Sequence, residues 1–317
     1  MDRRIIVVAV VAAVLLLFAF YLSMPAAPNA KMRIGHVPLA TANYFYIALD
    51  KGFFNETGLD AEAVPFSDSN AMFNALASGS IDAIGGGASA VAYGIETRAP
   101  GTIRIVGLID NTNLPAIIVS KQSNITTLQE LNHKRIGTFP GGGAVSTLNA
   151  VLESEHVQPS EVIQLTPALH LEALAKGSVD AILSYEPTTS ILLGKGVARI
   201  LLPKAGSFIA QPLYLGFAGV SQRFFTKNPG ATVRFADAMT RARNYFKQNE
   251  QEARLIMMRY AQLDRTTALS IPSLPYVDFK ETTAADIAAA QKLADFYYEK
   301  NVTTGKVNVT QMMLAIT

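Results

Sequence analysis

The chain is 317 residues long, half of them hydrophobic and 16% charged, with a net charge of +2. That balance fits a globular protein of about two domains and gives no sign of a nucleic-acid surface or an acidic partner. With no cysteine there is no disulfide framework, thiolate nucleophile, Cys-ligated zinc or lipid-modified N-terminal cysteine.

At the N-terminus, Met1-Asp2-Arg3-Arg4 leads into an uncharged apolar run from Ile5 to Leu22. Its basic flank is the kind that stays on the cytoplasmic side. Such a run is either a removed signal peptide or a retained anchor, and both export the remainder. Eighteen residues exceed a usual signal core, and Ser23–Ala30 offers no clean small-x-small cleavage site. The reading therefore favours a retained N-terminal hydrophobic helix, with residues 1–30 as anchor and Pro/Ala-rich tether.

From Lys31, short apolar runs alternate with helix-length amphipathic segments, the pattern of an α/β protein with mostly parallel strands. Strands are predicted at Met32–Val37, Ala61–Pro65, Ile81–Ile84 and Ile103–Leu108, with helices near Asn43–Lys51, Asn70–Ser78 and Ser89–Thr97. A second series has strands at Ala116–Ser120, Ile136–Phe139, Val162–Leu165, Ala181–Ser184 and Ala198–Leu201. Its helices fall near Ala144–His156, Leu169–Lys176 and Thr188–Lys195. After the apolar run Leu213–Val220 the chain turns mostly helical, at Gly230–Gln248, Gln251–Leu263 and Ala284–Glu299.

The two series share a phrase: "NALASGSIDAI" (Asn74–Ile84) returns as "EALAKGSVDAI" (Glu172–Ile182). Each reads as a helix stopped by glycine, at Gly79 or Gly177, followed by a short buried strand. Around it stand "RIGHVP" (Arg33–Pro38), "YIALDKGFFNETGLDAEAVPF" (Tyr46–Phe66), "ITTLQELNHKRIGTFPGGG" (Ile125–Gly143) and "ALAKGSVDAILSYEP" (Ala173–Pro187). In this order the blocks resemble the solute-binding proteins of ABC importers, in the group for nitrate, sulfonates, taurine and thiamine-pyrimidine precursors. The resemblance covers about Met32 to Leu202 strongly and the helical remainder weakly.

The resemblance implies a type II periplasmic binding protein: two doubly wound lobes joined by two crossover strands, near Pro115–Ser120 and Tyr214–Ser221. Lobe 1 would be 31–114 with 217–317, and lobe 2 would be 115–216. A small ligand would sit between the lobes, which close over it, with the duplicated unit forming one wall of the cleft in each lobe. The partners implied are that ligand and an importer permease, with the chain itself a monomer.

Ligands of parallel α/β sheets lie at the carboxyl ends of strands, where helix N-termini offer free N–H groups to small anions. The residues expected there are Thr41, Asn43 and Tyr44; Ser67 and Ser69; Gly86, Gly87, Ala88 and Ser89; and Asn111. The second half supplies Gly141, Gly142, Gly143 and Ser146, then Tyr185 and Glu186. Glycine permits close backbone approach, hydroxyls add donors without bulk, and tyrosines supply a flat wall with a polar rim. Each has a plainer reading as well: tight turns for the glycine triplets, helix caps for Ser89 and Ser146, packing for the tyrosines, a surface or hinge position for Glu186. A Glu186 facing the cleft would favour a ligand carrying an amine or ring N–H.

The four histidines, His36, His133, His156 and His170, have no metal-ligand spacing, so neither metal nor cofactor is expected. His36 ends the first strand and is either a structural or a cleft residue. Two alternatives stand beside the importer reading: an exported sensor domain, and an enzyme on the same scaffold. The pyrimidine-forming enzymes of thiamine synthesis share these lobes, but their cysteine-rich motif cannot exist here and no catalytic nucleophile is recognisable.

Overall fold

The computed structural model describes residues 30–110 and 114–314. The chain first lays down β1 (Ala30–His36), α1 (Asn43–Asp50), α2 (Phe53–Glu56), β2 (Leu59–Pro65), α3 (Ser69–Ser78), β3 (Ala83–Ala88), α4 (Ser89–Arg98) and β4 (Ile103–Ile109). A second series follows with β5 (Ala116–Ser120), β6 (Arg135–Thr138), α5 (Gly142–Ser154), β7 (Glu161–Gln164), α6 (Pro167–Ala175), β8 (Ala181–Ser184), α7 (Thr188–Gly194) and β9 (Ala198–Leu202). Then come β10 (Gly216–Ser221), α8 (Gln222–Lys227), α9 (Pro229–Gln248), α10 (Glu250–Ala261), α11 (Arg265–Ser270), β11 (Tyr276–Asp278), α12 (Ala284–Glu299) and α13 (Val309–Met312).

Local chemistry sets several of these boundaries. The Asp68 carboxylate accepts the Ala71 N–H at the start of α3, and Gly79, at φ +80°, ends that helix in the left-handed region. Thr283 and Asp286 form a reciprocal capping box on α12. The long α9 has proline in its first turn and buries Ala231, Phe235, Ala238, Met239, Ala242 and Phe246, one stripe at helical spacing. That stripe packs on α1 and the first sheet; each large side chain in it contributes on the order of 1.5–3 kcal/mol by leaving water.

The strands form two sheets, each with its own apolar core and helices: a six-stranded one in the order β11-β4-β10-β3-β1-β2 and a five-stranded one in the order β7-β6-β8-β5-β9. The chain crosses between them twice, into β5 and back into β10, close to the two crossovers expected from the sequence.

Both sheets are mixed, yet most strands in each run one way as expected: β1 to β4 share one direction against β10 and β11, and β6 to β9 share one against β5. β1 runs parallel to β2 and β3, and β6 to β7 and β8, but β10 is antiparallel to β3 and β4, and β5 to β8 and β9. The cause is the crossing itself. β10 starts at Gly216 beside Ala88, the carboxyl end of β3, and β5 starts at Ala116 beside Ser184, the carboxyl end of β8. A strand that enters a sheet where its neighbours end can only run against them.

Gly85, Gly86 and Gly87 belong to β3 and are not a loop. A Cβ on Gly86 would lie 2.2 Å from the Thr41 backbone oxygen, one on Gly85 2.4 Å from the Phe45 ring, and one on Gly87 2.8 Å from Met72 and Phe73. Helices press on both faces of β3, and glycine is what lets them. Among the described residues no helix is long and apolar enough to cross a membrane. The Ile5–Leu22 run and Asn111 lie outside the described residues.

Candidate functional site

The carboxyl ends of the two sheets face each other. β3 leads into α4 and β6 into α5, and a Cβ added to Gly143 in the first turn of α5 would lie 2.8 Å from the Ala90 Cβ in the first turn of α4. The same point is 3.3 Å from the Tyr297 hydroxyl of α12, and Gly142 is similarly close to Val302. Beyond this seam Lys300 donates to Glu153 of α5 across 2.6 Å. On another stretch of the seam, Ile191 of α7 packs against the core that holds Ala268 of α11. The two halves are thus in contact along the seam.

Within the seam the expected residues separate into groups. Thr41 and Asn43, in the turn and helix after β1, have a buried Oγ1 and Oδ1 with no hydrogen-bond partner. In the other half, the buried Oγ1 of Thr138, at the carboxyl end of β6, is equally unpartnered. Orphaned buried polar atoms are rare and costly, at about 1–3 kcal/mol each; the others among the described residues, on Tyr93, His170 and Arg234, lie within helices.

Gly141 precedes α5 at φ +110°, and its N–H donates to the Gln164 side chain. Gly142 and Gly143 are the first residues of α5, so the second glycine triplet is a helix N-terminus. Ser146 is buried in the same helix. Tyr185 follows β8, its ring edge-on to Phe139 at 5.1 Å; burial pushes its phenol up to about 12 while the Thr147 hydroxyl pulls the other way. Across the seam Tyr297 is raised by burial and by the nearby Tyr185 and Tyr93 phenols.

Glu186 is 5% exposed and accepts the Ser190 N–H at 3.1 Å. Burial raises its pKa, the Ser190 hydroxyl and N–H partly offsetting this. No basic side chain forms an ion pair with it among the described residues.

Tyr44 stands elsewhere. It is 4% exposed, donates to the Leu274 carbonyl at 2.5 Å and packs on Phe246 and Tyr276, in the core beneath the first sheet. Its hydroxyl and its ring are thus both engaged within this core. Ser67 is exposed and bonds Asp68; Ser69 opens α3. The buried Ser89 donates to the Tyr214 carbonyl at 2.8 Å and so pins α4 to the second crossover. Gly86, Gly87 and Ala88 complete β3, and Gly86 acts through its closeness to Thr41. His36 lies against Phe45 and Tyr46, its Nδ1 3.2 Å from the Tyr46 hydroxyl, and burial lowers its pKa. Among the described residues no group of His, Asp and Glu is placed to hold a metal.

The sequence reading missed Thr138, Tyr297 and the buried hydroxyl run Thr188, Thr189, Ser190 that opens α7. The signal for the last was present: "SYEPTTS" places three hydroxyls directly after a strand.

The duplicated phrase is also relocated. Asp82 and Asp180 lie at the amino ends of β3 and β8, the far end from the seam. Asp82 accepts from the Arg33 N–H at 2.9 Å and from its guanidinium at 3.0 Å, while that guanidinium also donates to the Gly79 carbonyl. Asp180 accepts the Arg135 N–H at 2.8 Å, and Arg135 donates to Gly177. The phrase encodes a clamp that ties a helix end to the neighbouring strand. It is not a wall of the cleft.

Two mixed α/β units joined by two crossovers, with strand ends facing across a seam, define the class of two-lobed binding folds. The chain belongs to the NMT1/THI5-like family, whose profile matches residues 41–253. A Bacillus subtilis (strain 168) relative named as an aliphatic sulfonates-binding protein is 27% identical over 279 residues, which is 84% of this chain and 81% of the relative. Two solved structures share the fold. The alkanesulfonate-binding protein SsuA from Xanthomonas axonopodis pv. citri, bound to MOPS, aligns with a TM-score of 0.73 at 22% identity over 91% of this chain and 99% of that one. The periplasmic aliphatic sulphonate binding protein SsuA from Escherichia coli gives 0.77 at 19% identity over 92% and 94%. These relatives are binding proteins rather than enzymes.

Proposed function

We propose that this chain is the extracytoplasmic solute-binding component of an ABC importer. It captures a small sulfonate-type anion between lobe 1 (31–114 with 217–317) and lobe 2 (115–216) and closes by bending at the two crossovers. The observation that carries the reading is the set of buried, unpartnered side-chain atoms of Thr41 and Asn43, in the turn and helix that follow β1, and of Thr138, at the end of β6, so that both halves contribute. Atoms left without a partner inside the protein are suited to one that arrives with a ligand. The N-terminus of α5 adds N–H groups and the positive end of a helix dipole. Closure follows because a ligand touching both lobes stabilises only the closed form and shifts the population towards it. The names of the relatives support a sulfonate over nitrate or a heteroaromatic vitamin precursor. A Glu186 carboxylate turned to the ligand would favour one that also carries an N–H, as taurine does.

A thermal-shift series with ethanesulfonate, taurine, nitrate and an aminopyrimidine tests this. A sulfonate at a hundred times its dissociation constant is expected to add about 2.7 kcal/mol to native stability, and Thr138→Val should reduce that gain while leaving unliganded stability nearly unchanged. No stabilisation by any of the four would end the proposal.

A further inference from the structure

We infer that the amino-terminal end of the first sheet, opposite the ligand seam, carries a docking recess for the phosphate of an anionic lipid headgroup. The recess has a volume of about 420 Å³ and is lined by Lys31, Arg33, Asp82, Arg223, Phe224, Lys227 and Asn228. Four of its side chains are cationic and one is a carboxylate.

The pairing within it is uneven. Asp82 is engaged by Arg33, and Lys31 reaches Glu62 outside the recess at 3.0 Å. Arg223 donates to the Gly79 carbonyl at 2.9 Å, the same oxygen that Arg33 reaches at 2.9 Å, so two guanidinium groups converge on one neutral acceptor. Neither Arg223 nor Lys227 has a carboxylate partner among the described residues. Asn228 on the wall is the N-cap of α9, and its side chain makes no capping bond. Like charges held this close repel each other unless an anion joins them, and a phosphate accepts from guanidinium, ammonium and amide together.

The duplicated half serves as an internal control. Its clamp has the same Arg, Asp and Gly, but a Cβ on Gly177 would meet nothing within 4 Å, whereas one on Gly79 would strike the Arg223 guanidinium. The extra cations are thus an addition to lobe 1, beyond what the clamp requires.

The position of the recess selects the occupant. Lys31 is on its wall, and only Ser23–Ala30 separate it from the apolar run Ile5–Leu22. Eight residues span at most about 28 Å when extended, so a chain retained by that run keeps the recess within reach of the headgroups. The recess then adds a basic contact that holds this face of the protein against anionic headgroups.

The test uses the full chain in bilayer nanodiscs of phosphatidylcholine alone or mixed with phosphatidylglycerol, read by hydrogen exchange of the Gln222–Asn228 segment. Exchange is expected to slow by an order of magnitude or more in the anionic discs only, to recover with salt, and to lose most of that protection in Lys227→Glu, since removing one basic side chain near such a surface is worth about fivefold and the reversed charge adds to it. Lys247→Glu, near the opposite end of α9, should leave it unchanged. Equal exchange in both bilayers, or indifference to Lys227→Glu, overturns the proposal, as does equal protection by inorganic phosphate in neutral discs, which would make this a site for soluble phosphate. Failure of the chain to stay on neutral discs removes the anchor alone; the recess is then scored by flotation on phosphatidylglycerol vesicles, which Lys227→Glu must weaken.

Discussion

The two copies of the clamp differ in how deeply the same residues are used. In lobe 1 the Asp82 side chain is 14% exposed and both of its oxygens receive Arg33. In lobe 2 Asp180 is 30% exposed and the Arg135 Nε stands 3.8 Å away. The same Arg, Gly and Asp therefore have unequal weight, because β3 lies between β1 and β10 under a dense layer of helices while the second clamp is nearer water. Burial decides what an ion pair contributes; the motif alone does not.

The comparison can be broken most directly at the aspartates. Asp82→Ala should cost roughly 2–3 kcal/mol, since it strands a backbone N–H and a partly buried guanidinium, and Asp180→Ala about 1 kcal/mol. Equilibrium urea unfolding of the two variants measures the gap, and equal losses would refute the ranking. Next in size are the glycines. Both occupy left-handed backbone, at φ +80° for Gly79 and +65° for Gly177, so alanine costs about 1 kcal/mol at either. Gly79→Ala must also displace Arg223 and should lose more, with a rearranged Arg223 visible by crystallography.

The smallest effects concern two buried glutamates, one in each half. Glu96 accepts the Gly101 and Ile103 N–H groups at 2.7 and 2.5 Å, whereas Glu186 accepts only that of Ser190 among backbone groups. Burial raises both pKa values above the ordinary 4.5. The folded state then holds these protons more tightly than the unfolded one, and the stability associated with each group falls as pH rises through 4.5 towards the raised value. Glu186→Gln should accordingly be neutral or stabilising by up to about 1 kcal/mol at pH 7 and flatten the pH dependence above 4.5. Glu96→Gln should destabilise by about 1 kcal/mol, because an amide cannot accept both N–H groups as the carboxylate does. Unfolding midpoints at pH 5 and pH 8 separate the two, and shifts of the same sign would erase the contrast.

Much of the architecture was legible in the sequence. Hydrophobic periodicity placed the main strands and long helices within a few residues, and the ordered blocks gave two halves with crossovers near 115–120 and 214–221. What was not legible shares one cause, the influence of distant chain on local pattern. Gly85–Gly87 has the composition of a turn, yet Thr41, Phe45 and Met72 close over it and select glycine within a strand. Tyr44 sits at a helix start after a strand, where ligands are often met, but α9, β11 and the segment around Leu274 arrive from some two hundred residues later to bury it. Thr138 carries no local mark at all. Its lack of a partner exists only once β6, β8 and the seam are assembled.

One feature of the first sheet bears on how the chain is made. β3 and β4 are near neighbours in sequence but do not touch as strands; β10 lies between them, paired with both. On a ribosome or emerging from a translocase, the stretch that appears first must keep a slot open until Gly216–Ser221 arrives, whereas β5 to β9 can pair as soon as Leu202 has emerged. The half begun earliest is finished last, so its uncapped middle is the surface a chaperone would find exposed longest.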